Sequence, residues 1–322
     1  MKRNGFTLLE LIFVIIILGI ISKFGVEYLA QAYRGYIYQN VSNTLQNNSE
    51  MAVEVIASKL KYRLKDSVII RKSADKTQFK GLEGATATTS VGYDILEWVG
   101  YDVEGFRAKD SSSPYWSGLI DKKYAHSGNT DIFTPNTNTT DVNTSISLLS
   151  YGTTDINDAA IFIMGSDSDV KTDYGWQFEC NDATCSTTTG GYINDQQHAM
   201  HPIKKDPTDT TKFLSANAQD FSLLNQSLDD VRYKLAWSAY AIVYDPGNNF
   251  DGTLTLYYNY QPWKGEKYTD GDSAVLMEHV SSFRKQQRFN VIKIQVCVKS
   301  DLVKRSAQDQ EKYSICKEKT IY

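Results

Sequence analysis

The chain has 322 residues, of which 41% are hydrophobic and 22% are charged, so it contains enough apolar material for one large domain or two small ones. Its formal net charge of −4 argues against a nucleic-acid-binding protein that relies on positive surface charge. Only 6 residues are proline and 12% are aromatic, which excludes the disordered and collagen-like classes.

The N-terminal segment begins with a short basic stretch, residues 1–5, and continues as an apolar run from Phe6 to Ile21. A secretory signal peptide would carry a small-residue cleavage site after its apolar run. The sequence Ser22-Lys23-Phe24 offers no such site. We therefore predict that the apolar run stays in the mature chain as a membrane-spanning segment over residues 6–26.

A helical pattern continues well beyond this segment. The apolar positions that recur at helical spacing are Leu29, Tyr33, Ile37, Val41, Leu45, Ala52, Val55, Ile56, Leu60 and Leu64. They predict one helix over residues 6–66, which at about 1.5 Å per residue is on the order of 90 Å long. Such a rod exceeds what a compact domain needs, so its first half must be buried in a bilayer or in a bundle of identical helices.

The first residues resemble the type IV pilin family, which includes the pseudopilins of type II secretion. The match is the sequence Gly5-Phe6-Thr7-Leu8-Leu9-Glu10, the cleavage and N-methylation signature of that family. The resemblance implies that prepilin peptidase cuts between Gly5 and Phe6 and that Phe6 is then N-methylated. It also implies that Glu10 neutralises the free amine of a neighbouring subunit during assembly.

Glu10 supports this interpretation on physical grounds. A carboxylate inside an apolar membrane segment is costly and usually marks function. The alternative is a glutamate tolerated near the bilayer edge of an ordinary membrane anchor. The surrounding motif favours the assembly role.

Beyond residue 66 the pattern changes to short strands, with apolar or alternating runs at 159–164, 235–244, 254–260 and 292–298. After the long N-terminal helix, these runs predict an α+β fold with a mainly antiparallel β-sheet head over residues 67–322. The same arrangement is expected from the pilin resemblance. A head of this size is large for a major pilin and favours a minor or tip subunit.

Two polar tracts interrupt the head, at about residues 127–158 and 181–197, and both are rich in Ser, Thr, Asn and Asp. We predict that they are long surface loops. Long loops on a rigid scaffold commonly carry recognition, and the alternative is a mobile insertion without a role.

The four cysteines, Cys180, Cys185, Cys297 and Cys316, all follow the membrane segment, which places them in the oxidising periplasm or outside the cell. Three pairings are open. We favour Cys180 with Cys185, which closes a tight loop, and Cys297 with Cys316, which resembles the C-terminal disulfide loop of pilins. A zinc site made of all four is the alternative, but their spacing lacks the C-x-x-C geometry of zinc ribbons.

Two further classes of site receive little support. Asp245, Asn248 and Asp251 are weak candidates for a calcium site, because their loop lacks the closing glutamate of an EF-hand and a plain turn explains them as well. No G-x-S-x-G, H-E-x-x-H or Walker motif occurs, so we expect no enzyme activity and no cofactor other than that calcium.

These patterns predict a structural subunit, a minor pilin or minor pseudopilin, that primes or caps a type IV pilus or a type II secretion pseudopilus. Its expected partners are other minor and major pilins or pseudopilins, prepilin peptidase, the inner-membrane assembly platform and the lipid bilayer. We expect a single-pass protein of the bacterial inner membrane with its C-terminal head in the periplasm, which then enters a filament and reaches the cell surface if that filament is a pilus.

Two competing functions remain open at this point. One is a tethered adhesin or a DNA receptor of a competence pilus, which is the only role in which we expect a nucleic-acid partner. The other is a membrane-anchored periplasmic enzyme, which would require a polar cleft with perturbed titrating groups.

Overall fold

The chain folds into one long helix followed by two large antiparallel sheets and a two-stranded one in a computed structural model, which describes residues 7–85, 91–110, 113–121, 130–165, 168–177, 199–216, 221, 231–247, 251–300 and 313–322. The helices are α1 (Leu8–Leu60), α2 (Val103–Arg107) and α3 (Thr139–Leu149). The first strands are β1 (Ile69–Arg71), β2 (Phe79–Gly81), β3 (Ile95–Gly100), β4 (Lys109–Asp110), β5 (Ser113–Pro114), β6 (Leu119–Ile120), β7 (Asp131–Phe133) and β8 (Ala160–Ile163). The later strands are β9 (Met200–Lys205), β10 (Lys212–Ser215), β11 (Val231–Ala236), β12 (Ser238–Asp245), β13 (Gly252–Tyr260), β14 (Asp272–Arg288), β15 (Val291–Ser300) and β16 (Tyr313–Ile321).

Helix α1 confirms the predicted rod but ends at Leu60, earlier than the predicted end at residue 66. The backbone that follows pairs with the end of β3 instead of continuing the helix. Leu64 N donates to Val99 O at 2.8 Å, and Tyr101 N donates to Tyr62 O at 2.9 Å. Long-range strand pairing therefore overrides the local helical pattern over the last turn.

The larger sheet has eight strands in the order β16-β15-β14-β13-β12-β3-β1-β2, and every neighbouring pair is antiparallel. The second half of α1 packs on one face of this sheet through Val53, Ile56 and Leu60. The other face of its central strands packs against Trp176 and Trp263, in a second core shared with the smaller sheet. This arrangement is the predicted α+β fold.

The smaller sheet is an insertion between two neighbouring strands of the larger one. Strands β3 and β12 pair directly, with Gly100 opposite Ser238. The chain between them, residues 101–237, contributes a six-stranded sheet in the order β6-β11-β8-β9-β10-β7. The insertion therefore leaves and re-enters the larger sheet at one point, which allows it to form its own hydrophobic core around Trp116, Ile146 and Phe213.

The prediction of a polar surface loop over about 127–158 is wrong. The described part of this tract contains strand β7 and helix α3. Helix α3 forms because the Asn138 side chain accepts from Thr140 N at 3.1 Å and caps the helix, while Val142 and Ile146 are buried one turn apart. The other predicted loop, 181–197, lies outside the described residues.

A buried ion pair links two neighbouring strands of the larger sheet, β1 and β3. The Arg71 and Glu97 side chains are 0% exposed, and Arg71 Nε donates to Glu97 Oε1. Arg71 Nη2 also donates to Trp176 O at 3.0 Å, and Tyr260 Oη donates to Glu97 Oε2 at 3.2 Å. Burial raises the pKa of the Glu97 carboxyl, and the positive charge of Arg71 opposes that shift. The attraction between the two charges therefore offsets the free-energy cost of removing each of them from water.

We expect Arg71→Met to lower the free energy of unfolding by about 3–5 kcal/mol, because it leaves the Glu97 carboxylate buried without its cation. The control is Lys317→Met, which removes an exposed lysine whose Nζ lies 3.1 Å from Glu50 Oε2. That change should cost less than about 1 kcal/mol. Chemical denaturation followed by circular dichroism measures both, and equal losses would contradict a special role for the buried pair.

The last two strands are joined by a disulfide between Cys297 of β15 and Cys316 of β16, which face each other in the strand register. This is the pairing expected from the pilin resemblance. Strand β16 is the edge of the larger sheet and contacts α1, so the bridge fixes the strand that supports the helix. Cys180 and Cys185 lie outside the described residues, and their pairing stays a prediction.

Replacing both Cys297 and Cys316 with alanine should lower the free energy of unfolding by about 2–4 kcal/mol, mainly by freeing the unfolded chain. Denaturant titration of the oxidised wild type and the double variant measures the loss. Non-reducing peptide mapping of the wild type is the control for the bridge itself. An unchanged transition would show that the strand pairing holds β16 without the covalent link.

Candidate functional site

The start of α1 is fixed by a capping box. Thr7 N donates to Glu10 Oε2 at 3.0 Å, and Glu10 N donates to Thr7 Oγ1 at 3.4 Å. These reciprocal bonds satisfy two of the backbone groups that every helix leaves open at its N-terminus. Glu10 is therefore held at the first turn of the helix, with its side chain in an exposed position. Gly5 and Phe6 lie outside the described residues.

The first half of α1 presents an apolar surface that its own head leaves uncovered. The large hydrophobic side chains between Leu8 and Ile21 are between 43% and 76% exposed. Within the described residues, α1 is the one helix long and apolar enough to cross a membrane. An uncovered apolar surface of this extent requires a bilayer or a partner.

The length of this surface matches a bilayer. Residues 8–26 of a helix span about 29 Å at about 1.5 Å per residue, close to the hydrocarbon thickness of about 30 Å. Three tyrosines follow directly, and Tyr28, Tyr33 and Tyr36 are each at least 67% exposed. Tyrosine is enriched where a membrane helix meets water. The prediction of a membrane segment over 6–26 did not include this group, although the tyrosines are visible in the sequence.

The second half of α1 is built into the head. Its side chains turn inward at Leu45, and Ala52, Val53 and Ile56 are at most 3% exposed. Two exposed ion pairs accompany this packing: Lys317 with Glu50, and Lys319 with Glu54. Exposed pairs contribute little stability, so the apolar contacts fix the helix to the sheet.

The weak calcium candidates have other partners. Asp245 Oδ1 accepts from Gly247 N at 3.1 Å, and His279 Nδ1 lies 2.6 Å from Asp251 Oδ1. Asn248 lies outside the described residues. In the part of the chain that the structure describes, no group of three or more His, Cys, Asp or Glu side chains has an arrangement that could hold a metal ion.

A comparison with known protein families matches the N-terminal segment that contains the start of α1. A family model of the prokaryotic N-terminal methylation motif matches residues 1–22. No curated protein and no solved structure matches the chain significantly. The matched residues include Gly5, Phe6 and Glu10.

The motif has direct consequences for the chain. Proteins that carry it are made as precursors, are processed by prepilin peptidase and interact with other pilins. The family is structural. The matched motif and the exposed apolar half of α1 directly behind it support a type IV pilin-like protein, and the long helix with its antiparallel head fits the α+β fold of that family.

Proposed function

We propose that this protein is a minor subunit that primes or caps a type IV pilus or a type II secretion pseudopilus. The observation that carries the proposal is the division of α1 into two halves. The first half presents exposed apolar side chains from Leu8 onward, and one face of the second half is buried against the head from Leu45 onward. A helix built in this way can leave a bilayer and enter a bundle of similar helices while the head remains folded.

Before assembly, the protein is a single-pass protein of the inner membrane with its head in the periplasm. Lys2 and Arg3 precede the apolar segment, and basic residues favour the cytoplasmic side of a membrane. The Cys297–Cys316 bridge lies on the other side of that segment, where an oxidising compartment would maintain it. The inner-membrane assembly platform and prepilin peptidase are its partners at this stage.

Glu10 directs incorporation into the filament. Its carboxylate lies within the apolar surface, where a charge is costly unless it is paired. Cleavage after Gly5 would give this chain a free amine at Phe6, and neighbouring pilins processed in the same way would each carry a free N-terminal amine. Pairing of that amine with Glu10 neutralises both charges and sets the register between neighbouring helices.

The position at an end of the filament rests on the size of the head. Residues 101–237 add a second sheet to the face of the larger sheet opposite α1. A subunit that repeats along a filament has to accommodate neighbours on several sides of its head. A terminal subunit has fewer neighbours, so this added layer is easier to accommodate there.

We expect the mature protein to begin with N-methylated Phe6. Mass spectrometry of the N-terminal peptide checks this, with sheared surface filaments and washed membranes analysed separately. The modified terminus in the sheared fraction would indicate a surface pilus, and its confinement to membranes would indicate a short pseudopilus. An unprocessed Met1 terminus in both fractions would contradict the proposal.

We expect Glu10→Gln to abolish incorporation into filaments while cleavage at Gly5 and Phe6 remains normal. Glutamine is also accepted at this position of a capping box, so the variant removes the charge while preserving the start of the helix. Immunoblots of sheared filaments and membranes measure incorporation, and the size of the membrane form reports processing.

Two matched controls separate charge from helix capping. Thr7→Ala removes the capping side chain but retains the Glu10 charge, and we expect incorporation to continue. Glu27→Gln removes an exposed glutamate of the same helix beyond the membrane segment, and we expect no effect. Normal incorporation of Glu10→Gln, or equal loss in all three variants, would overturn the role assigned to Glu10.

A further inference from the structure

The inserted part of the head contains a cleft that the assembly role does not use. Its volume is about 420 Å³, and it lies between α2, the chain around Gly118 and strand β11. The aromatic residues that line it are Tyr101, Phe106, Trp116 and Tyr233. Two cationic residues, Arg232 and Lys234, also line it.

The aromatic wall of the cleft, formed by Phe106, Trp116 and Tyr233, is packed ring against ring. The ring centroids of Phe106 and Trp116 are 4.8 Å apart, and those of Trp116 and Tyr233 are 5.5 Å apart. Behind the wall, the buried Asp102 carboxylate accepts from Trp116 Nε1 at 3.0 Å and from Trp237 Nε1 at 3.3 Å. A ligand would therefore meet an arrangement that is already formed, which lowers the entropic cost of binding.

Two apolar residues in the lining of the cleft are exposed. Phe106 is 44% exposed and Met164, also in the lining, is 47% exposed. Pockets for small molecules are mostly apolar, with a few polar groups that fix orientation. An exposed aromatic ring beside a concave surface suits the apolar face of a ligand ring.

The two cations have no counter-charge in the part of the chain that the structure describes. Lys234 Nζ lies 4.4 Å from the centroid of the Tyr101 ring, and it is repelled by Lys65 and Arg63. Burial and this repulsion lower the pKa of Lys234. Among the described residues, neither Lys234 nor Arg232 forms an ion pair. An anion bound here would relieve the repulsion and pair with both cations.

The cleft is also far from the membrane segment. Tyr101 contacts Tyr62 edge to face, with ring centroids 5.8 Å apart, and Tyr62 lies two residues after the end of α1 at Leu60. The 53 residues of α1 extend about 80 Å from the start of the helix at about 1.5 Å per residue. The cleft is therefore at the end of the helix that points away from the membrane.

We propose that this cleft binds one ring of an acidic carbohydrate, a monosaccharide unit that carries a carboxylate or a phosphate group. The apolar face of the ring packs on Phe106, and the anionic group lies between Arg232 and Lys234. Single-stranded nucleic acid fits less well, because it requires a basic groove that follows several phosphates, whereas this cleft has room for one ring. The proposal adds a binding site to the assembly role and is independent of it.

Isothermal titration calorimetry on the full-length protein in detergent micelles tests the proposal. The probes are glucuronate, which carries the carboxylate, and glucose 6-phosphate, which carries the phosphate. Glucose lacks the charge and acetate lacks the ring. We expect glucuronate or glucose 6-phosphate to bind more tightly than both glucose and acetate, and the stronger of the two identifies the anionic group. Absence of binding by both acidic sugars, or equal binding by glucose or acetate, would overturn the proposal.

Three variants locate the binding site. We expect Arg232→Gln and Lys234→Gln each to weaken binding by about tenfold, because each removes one charge-assisted contact to the anion. Arg232 is exposed, so its replacement should leave the fold intact. The control is Lys72→Gln, since Lys72 Nζ lies 5.4 Å from the ring centroid of Tyr93, outside the cleft. Unchanged affinity in both cleft variants, or an equal loss in the control, would place the ligand elsewhere and overturn the proposal.

Discussion

The exposed apolar half of α1 is the constraint on which the rest of the structure depends. Its side chains from Leu8 to Ile21 are uncovered by the head, so the folded chain is complete only in a bilayer or beside other helices. The second half of the same helix packs on the larger sheet from Leu45 onward. One continuous helix therefore connects the segment that needs a hydrophobic environment to the folded head.

The head is built to support such a helix. Strands β14, β15 and β16 contact α1 directly, and the Cys297–Cys316 bridge joins the last two of these strands. On the opposite face, the Arg71 and Glu97 pair connects the central strands to Trp176. Because the support for α1 and the attachment of the inserted layer lie on different faces of one sheet, the insertion adds surface without disturbing the helix.

This separation allows two roles in one subunit. In the proposed function, assembly depends on Glu10 and on the apolar surface of the first half of α1, whereas the aromatic cleft around Phe106 lies near the other end of α1. A ligand at the cleft would not compete with helix packing. A subunit at the end of a filament would present such a cleft outward, so the proposed position and the proposed binding site are compatible.

The sequence by itself determined the N-terminal motif, the long helix and the α+β class, because a motif and a hydrophobic period are local properties of the chain. It also contained the signals of α3, namely Asn138 and the spacing of Val142 and Ile146, but the polar composition of that tract outweighed them. Tertiary structure alone decided where α1 ends, because Leu64 pairs with Val99 from a distant strand. It also decided the insertion between β3 and β12, the Arg71 and Glu97 pair and the aromatic cleft, since each requires residues that are far apart in the chain to meet.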